Sequence, residues 1–162
     1  MSQSVSISDM EEKKVLERLQ RLCSRAEYCS SDVRRKALKA LEGDGEAASR
    51  IVDSLLRDRF VDDGRYSAAF AREKSSLQGW GEVKIRFMLR SKGIPDEIIS
   101  EALQEIDQSK AERKLDKLVA DKARLLEGDP QKRLKLLKYA LGRGYSYDEV
   151  EEAIARLAQP RG

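Results

Sequence analysis

Apolar residues return along this chain at helical spacing, and one group of them occurs three times. Ala48, Ile51, Val52 and Leu55 are followed 51 residues later by Ile99, Ala102, Leu103 and Ile106, and after another 51 by Val150, Ala153, Ile154 and Leu157. The offsets within each quartet place its members on one face of a helix. A period of this size marks one supersecondary unit used repeatedly, each unit too small to bury its apolar face alone.

Three passages surround the quartets, each reading as three helices. A polar leader, 1–11, precedes a first repeat at 12–59, a second at 60–108 and a third at 109–158, with a short tail at 159–162. In the first, Val15, Leu16, Leu19, Leu22 and Cys23 mark one helix and Val33, Ala37, Ala40 and Leu41 a second, with Ser30-Ser31-Asp32 as its cap region. The second opens at Asp62-Asp63-Gly64, breaks at Gly79-Trp80-Gly81 and resumes with Ile85, Met88 and Leu89 before Gly93 and Pro95. The third breaks at Gly128-Asp129-Pro130 and turns at Gly142-Arg143-Gly144. No segment alternates as a half-buried strand would, so the expected fold class is all-α, three tandem three-helix repeats in an array.

Composition narrows the function. With 40% apolar and only 6% aromatic residues, each repeat has a thin aliphatic core, and the units are expected to move relative to one another. No apolar run approaches the roughly 18–20 residues that cross a bilayer, and the leader lacks the apolar core of a signal peptide. A cytoplasmic protein without a membrane partner is expected. Cys23 and Cys29 are the two cysteines and histidine is absent, so a reduced free pair is expected, with no metal site and no cofactor. Lack of histidine also removes the commonest general base and every Ser/His or Cys/His nucleophile, and no phosphate-binding glycine loop is present. The chain reads as a non-enzyme.

Positive and negative charges nearly cancel, to +3 among 38% charged residues, but they are sorted by helix. The middle helix of each repeat is basic: Arg34, Arg35, Lys36 and Lys39 in the first, Lys84, Arg86, Arg90 and Lys92 in the second, Lys132, Arg133, Lys135, Lys138 and Arg143 in the third. The closing helices are acidic, with Asp96, Glu97, Glu101 and Glu105, then Asp148, Glu149, Glu151 and Glu152. On a helical projection Arg35 and Lys39 lie opposite Val33, Ala37 and Leu41, and their counterparts 51 residues on, Arg86 and Arg90, lie opposite Ile85, Met88 and Leu89. The third repeat has Leu137 and Leu141 there, with Lys132 and Lys135 as its outward charges. Stacked repeats would present a basic stripe of Arg35, Lys39, Lys84, Arg86, Arg90, Lys132, Lys135, Lys138 and Arg143, a footprint for phosphate or an acidic protein groove. The plainer alternative is that these side chains solubilise exposed helix faces.

Trp80, the only tryptophan, could stack on a base or anchor in a partner, or staple its helix to the preceding one; Tyr145 and Tyr147 carry the same ambiguity. Asp62 and Asp63 read as capping residues rather than a catalytic couple.

The run Phe60-Val61-Asp62-Asp63-Gly64-Arg65-Tyr66, then Ala69-Phe70-Ala71, a glycine-centred break, Ile85 to Leu89 and Lys92-Gly93-Ile94 resembles the signature of the RecX family of recombination regulators. Leu141-Gly142-Arg143-Gly144-Tyr145-Ser146-Tyr147-Asp148-Glu149-Val150 is similar to that family's last repeat, and the likeness spans about 12–158. Arg59, where the family often has glycine, and Trp80, where proline is frequent, depart from it. The resemblance implies a curved, elongated array of three three-helix repeats that binds the RecA recombinase filament on single-stranded DNA and restrains its extension, ATP hydrolysis and strand exchange. It brings no catalytic set. Competing readings are a general nucleic-acid-binding repeat module without a recombinase partner, its basic stripe following the phosphates of DNA such as single strands, a scaffold for another client and, remotely, a metal-dependent hydrolase. With no long apolar stripe left over, a monomer is expected.

Overall fold

A computed structural model describes residues 7–159. Among these are nine helices and no strand: α1 (Ile7–Arg25), α2 (Ser30–Ala40), α3 (Gly45–Arg57), α4 (Asp63–Ser76), α5 (Glu82–Ser91), α6 (Asp96–Leu103), α7 (Gln108–Leu125), α8 (Lys132–Gly142) and α9 (Tyr147–Leu157). α1 starts at Ile7, inside the stretch expected to be leader; residues 1–6 and 160–162 of the expected leader and tail lie outside the described residues. None of the described helices is long and apolar enough to cross a membrane.

Short polar side chains start several of these helices. Asp44, Asp62 and Asp107 accept the backbone N–H groups of Ala47, Arg65 and Lys110 at the heads of α3, α4 and α7. Ser146 and Glu149 close a reciprocal capping box on α9. Each such cap satisfies a donor the helix cannot, typically worth about 1 kcal/mol.

Three core clusters follow in chain order. Val15 and Leu19 of α1, Val33 and Ala37 of α2, and Ala48, Ile51 and Leu55 of α3 form the first. Ala71 of α4, Ile85 and Leu89 of α5, and Ile99 and Leu103 of α6 form the second. Leu115 and Val119 of α7, Leu136 and Ala140 of α8, and Val150 and Ala153 of α9 form the third. The chain is therefore three tandem three-helix repeats, as the recurring quartets predict. The quartets are buried except at the end of α9, where Ile154 is half-buried and Leu157 is exposed. One member of the second cluster comes from the first repeat: Cys29, fully buried just before α2. Burial pushes its thiol, and that of Cys23, above the ordinary range, which suits two unreactive free cysteines.

The structure corrects the register of the basic helices. The buried pair Val33 and Ala37 corresponds to Ile85 and Leu89, an offset of 52 rather than 51. Arg34 donates to Ser49 and Arg86 to Ser100, so those two arginines are equivalents. Arg35 is therefore matched by Phe87 and Lys39 by Ser91, not by Arg86 and Arg90. Between α5 and α8 the offset returns to 51, because Leu136 and Ala140 take the core positions of Ile85 and Leu89. The cause is local: α2 has 11 residues and α5 has 10, while equal connectors carry both into a closing helix.

Candidate partner interface and the joints that present it

Charged side chains on an array of repeats form a surface only if the joints hold the repeats in place, and the two joints are built differently. Both solve one problem, the unpaired N–H groups at the head of the middle helix. At the first joint, α2 has Cys29 as its N-cap, with no side-chain cap of its own. Asp63 of the next repeat supplies one, accepting from Ser30 N at 2.7 Å and Ser30 Oγ at 2.6 Å. A carboxylate at the positive end of α2 is also favoured by the helix dipole. Asp62 and Asp63 are thus both capping residues, but Asp63 caps a helix of the preceding repeat.

Beside it lies an ion pair. Asp32, inside the first turn of α2 and buried, accepts from Lys92 Nζ at 2.8 Å and from exposed Arg35 at 3.1 Å. Burial alone would raise the Asp32 carboxyl, but hydrogen bonds from Lys92 and Cys29 outweigh it and hold it below the usual carboxylate range. The hydrogen bond to Asp32 raises Lys92 in turn. A depressed carboxyl contributes stability that is complete above its unfolded pKa and is lost as pH falls through its lower folded value; a raised ammonium contributes stability that is lost as pH climbs through its folded value. The pair should therefore hold from about pH 4 to about pH 10 and weaken on either side. Asp32→Asn is expected to cost about 1–2 kcal/mol near neutrality and to lose its difference from wild type in acid. Urea denaturation across pH at fixed ionic strength tests this; an acid limb identical in both proteins would exclude Asp32 from it.

The second joint is made of backbone. Gly81 N donates to Arg143 O and Val83 N to Gly144 O, both at 2.9 Å, so the head of α5 is capped by carbonyls just after α8. A Cβ on Gly81 would overlap the Gly144 carbonyl and approach Tyr145 N to 2.5 Å, so both glycines are needed for this approach. The buried Tyr145 hydroxyl donates to Gly79 O at 2.9 Å; burial pushes its pKa up to about 12, which keeps it a donor. Arg143 donates to Gln78 O at 2.5 Å and Lys114 to Ser76 O. Trp80 meets Phe70 of α4 edge to face at 6.1 Å between ring centres, and Lys84 Nζ stands 4.2 Å over its ring. That geometry matches the stapling alternative. Tyr147, by contrast, is exposed.

These joints sort the stripe expected from sequence. Arg143 is half-buried in the second joint and Lys84 lies over Trp80. Arg90 is paired with Asp96 at 2.6 Å, Lys135 with Asp129 at 2.6 Å, and Arg35 with Asp32; the cations hold the Asp96 and Asp129 carboxyls below their usual range. Arg86 reaches Ser100 at 3.5 Å. Lys39, Lys132 and Lys138 make no ion pair among the described residues. Exposed pairs of this kind are worth roughly 0–1 kcal/mol, so a partner's carboxylates or phosphates can compete for the cations. The stripe also contains an aromatic residue that the sequence pattern did not single out. Phe87 is 69% exposed and sits between Arg86 and Arg90 on the outer face of α5, with Val83 one turn before it, also exposed. Aligning the middle helices on their buried pairs would have revealed it at the position of Arg35.

Comparison with known proteins gives one answer at three levels. Residues 62–103 match the family model described as RecX, second three-helix domain. The regulatory protein RecX of Clostridium acetobutylicum is 33% identical over 129 residues, covering 76% of this chain and 59% of that protein. That of Mycolicibacterium smegmatis is 29% identical, covering 72% and 67%, and that of Prosthecochloris aestuarii is 28% identical, covering 93% and 98%. The chain thus spans about half to two thirds of several longer relatives and nearly the full length of a shorter one. A crystal structure of RecX from Lactobacillus salivarius superposes with a TM-score of 0.80 at 22% identity, covering 91% of this chain and 97% of that one.

Proposed function

The chain belongs to the RecX family of regulatory proteins, and on that premise we propose that it is a non-enzymatic, cytoplasmic regulator that binds RecA recombinase filaments on single-stranded DNA. By inhibiting filament extension, ATP hydrolysis and strand exchange it would regulate DNA repair and recombination. The observation that carries this reading is the likeness to proteins named regulatory protein RecX, which centres on the second repeat and extends over most of the chain. The architecture supports it: a monomeric array of jointed repeats can touch successive protomers of a helical filament, so that inhibition arises from bridging rather than chemistry.

The surface proposed to meet the filament, or the DNA it carries, is the outer face of the middle helices. It comprises Arg35, Lys39, Lys84, Arg86, Arg90, Lys132, Lys135 and Lys138, with Arg143 at the edge of the second joint, and Phe87 as its apolar anchor. Aromatic residues, phenylalanine among them, and arginine are enriched at interfaces relative to the rest of a protein surface.

The deciding experiment is RecA ATPase on single-stranded DNA with this protein titrated at substoichiometric levels. Inhibition well below one molecule per recombinase is expected. No inhibition, with DNA binding retained, would sink the proposal in favour of a general nucleic-acid module. Charge reversal at Arg35, Lys39, Arg86 and Arg90 together, or Phe87→Ala alone, should raise the concentration needed by about tenfold while far-UV circular dichroism stays unchanged. Full inhibition by both folded variants would exclude this face as the interface.

A further inference from the structure

Five cations that the fold leaves without a carboxylate lie together on the first repeat, one of them, Lys39, shared with the outer stripe. Arg18, Arg21 and Arg25 of α1 and Lys36 and Lys39 of α2 line one open cleft of about 600 Å³ between those helices. All five are exposed, and among the described residues none makes an ion pair. On α5 and α8, by contrast, Arg90, Arg133 and Lys135 are each held by a carboxylate. Only Lys36 has another charge-linked contact, 5.5 Å over the Tyr28 ring.

The spacing makes this a two-rimmed groove. Arg18, Arg21 and Arg25 share one face of α1 and extend over about 10 Å at the helical rise; Lys36 and Lys39 face them one turn apart. Like charges at such spacing cost about 0.2–0.5 kcal/mol per pair, so the free protein is held slightly below the stability that a bound anion would restore. Between the rims the floor is apolar, formed by Leu19 and Leu22 of α1 and Ala40 of α2, and the lining contains neither a carboxylate nor an aromatic ring. Single-stranded nucleic acid would satisfy the rims but find no ring on which its bases could stack. An acidic peptide carrying aliphatic side chains satisfies both rims and floor.

We propose that the α1–α2 cleft is a docking site for an acidic segment of a partner protein, which seats aliphatic side chains between the Arg and Lys rims in the manner of a helix in a groove. The cleft also sets direction. Toward the start of α1 it gives way to a hollow where Asp9, Glu11, Glu12, Glu42 and Asp44 outnumber Lys14, Arg18 and Arg50, and this acidic excess places the segment's carboxylates toward Arg21 and Arg25. The proposal does not rest on the recombinase reading, and its test uses no recombinase.

The full chain is titrated against a fluorescein-labelled peptide of Glu and Leu arranged at helical spacing, in low salt, with binding read by fluorescence anisotropy. Binding is expected, weakened about tenfold or more by Arg21→Glu combined with Lys36→Glu, unaffected by Arg113→Glu combined with Lys117→Glu at exposed positions of α7, and weakened when the peptide leucines become serine. Unchanged circular dichroism keeps the comparison free of misfolding, which exposed positions make easy to meet. Equal binding by the Arg21→Glu/Lys36→Glu variant overturns the site. Indifference to the peptide's leucines overturns the groove, leaving charge attraction alone. Displacement of the peptide by oligo-dT at equal or lower concentration overturns the choice of partner and assigns the cleft to nucleic acid.

Discussion

Gly144→Ala is expected to destabilise the protein by about 3–5 kcal/mol, from backbone strain and the loss of well-placed hydrogen bonds. Gly144 has φ +96, a conformation that side chains rarely adopt, and a Cβ there would overlap Lys84 Cβ and lie 2.9 Å from Lys84 N. To relieve that overlap α5 must move away from the turn after α8. The bonds from Gly81 N and Val83 N to the carbonyls of Arg143 and Gly144 then lengthen, and the donors at the head of α5 lose their cap. Gly43 is the internal control. Its φ is +88, but nothing lies within 4 Å of its Cβ position, so Gly43→Ala carries only the conformational term, about 1 kcal/mol. Urea denaturation of both variants measures the difference. Because Trp80 follows Gly79, the acceptor of the Tyr145 hydroxyl, its fluorescence should change in Gly144→Ala and not in Gly43→Ala. Equal costs for the two would show that the close approach of α5 to the Gly144 turn contributes nothing to stability.

Leu103→Ala should cost about 2–5 kcal/mol, the range for truncating a buried leucine in a core that cannot collapse around the cavity. Leu103 is 5% exposed and shares the second core with Ile85, Leu89 and Ile99. That core is thin, so few neighbours can move into the space. The second repeat also carries both joints: Asp63 and Lys92 hold the first and Gly79 and Gly81 the second. Loosening it should therefore lower the stability of the repeats on either side, as nearest-neighbour coupling in arrays requires. Leu157→Ala offers the contrast. It belongs to the corresponding quartet yet is 39% exposed at the end of α9, and its truncation should cost under about 1 kcal/mol. Thermal unfolding followed by circular dichroism distinguishes them; a small shift for Leu103→Ala would mean that its face is not core.

Arg59 shows how far a sequence departure can be interpreted physically. It occupies the turn between α3 and α4, and its φ is 61, the left-handed region that glycine enters without penalty. A non-glycine residue there places strain on a single position of the turn.

What the sequence determined by itself follows from local periodicity. Helical spacing of Leu, Ile, Val and Ala, punctuated by glycine, proline and short polar caps, dictated nine helices in three like units, and the recurring quartets marked the closing helix of each. The sorting of charge by helix was equally visible, since charge is a property of composition. Tertiary structure decided what depends on neighbours distant in the chain. A one-residue difference between α2 and α5 moved Phe87 into the row expected to hold Arg86. Asp63 caps a helix of the preceding repeat, and Gly144, which reads as an ordinary turn glycine, brings two backbones together. Most basic side chains on the middle helices found carboxylates, hydroxyls or carbonyls within the protein, while those lining the α1–α2 cleft did not. Pairing of this kind is set by distances of a few ångströms between separate elements, and a periodic pattern along one chain contains no measure of them.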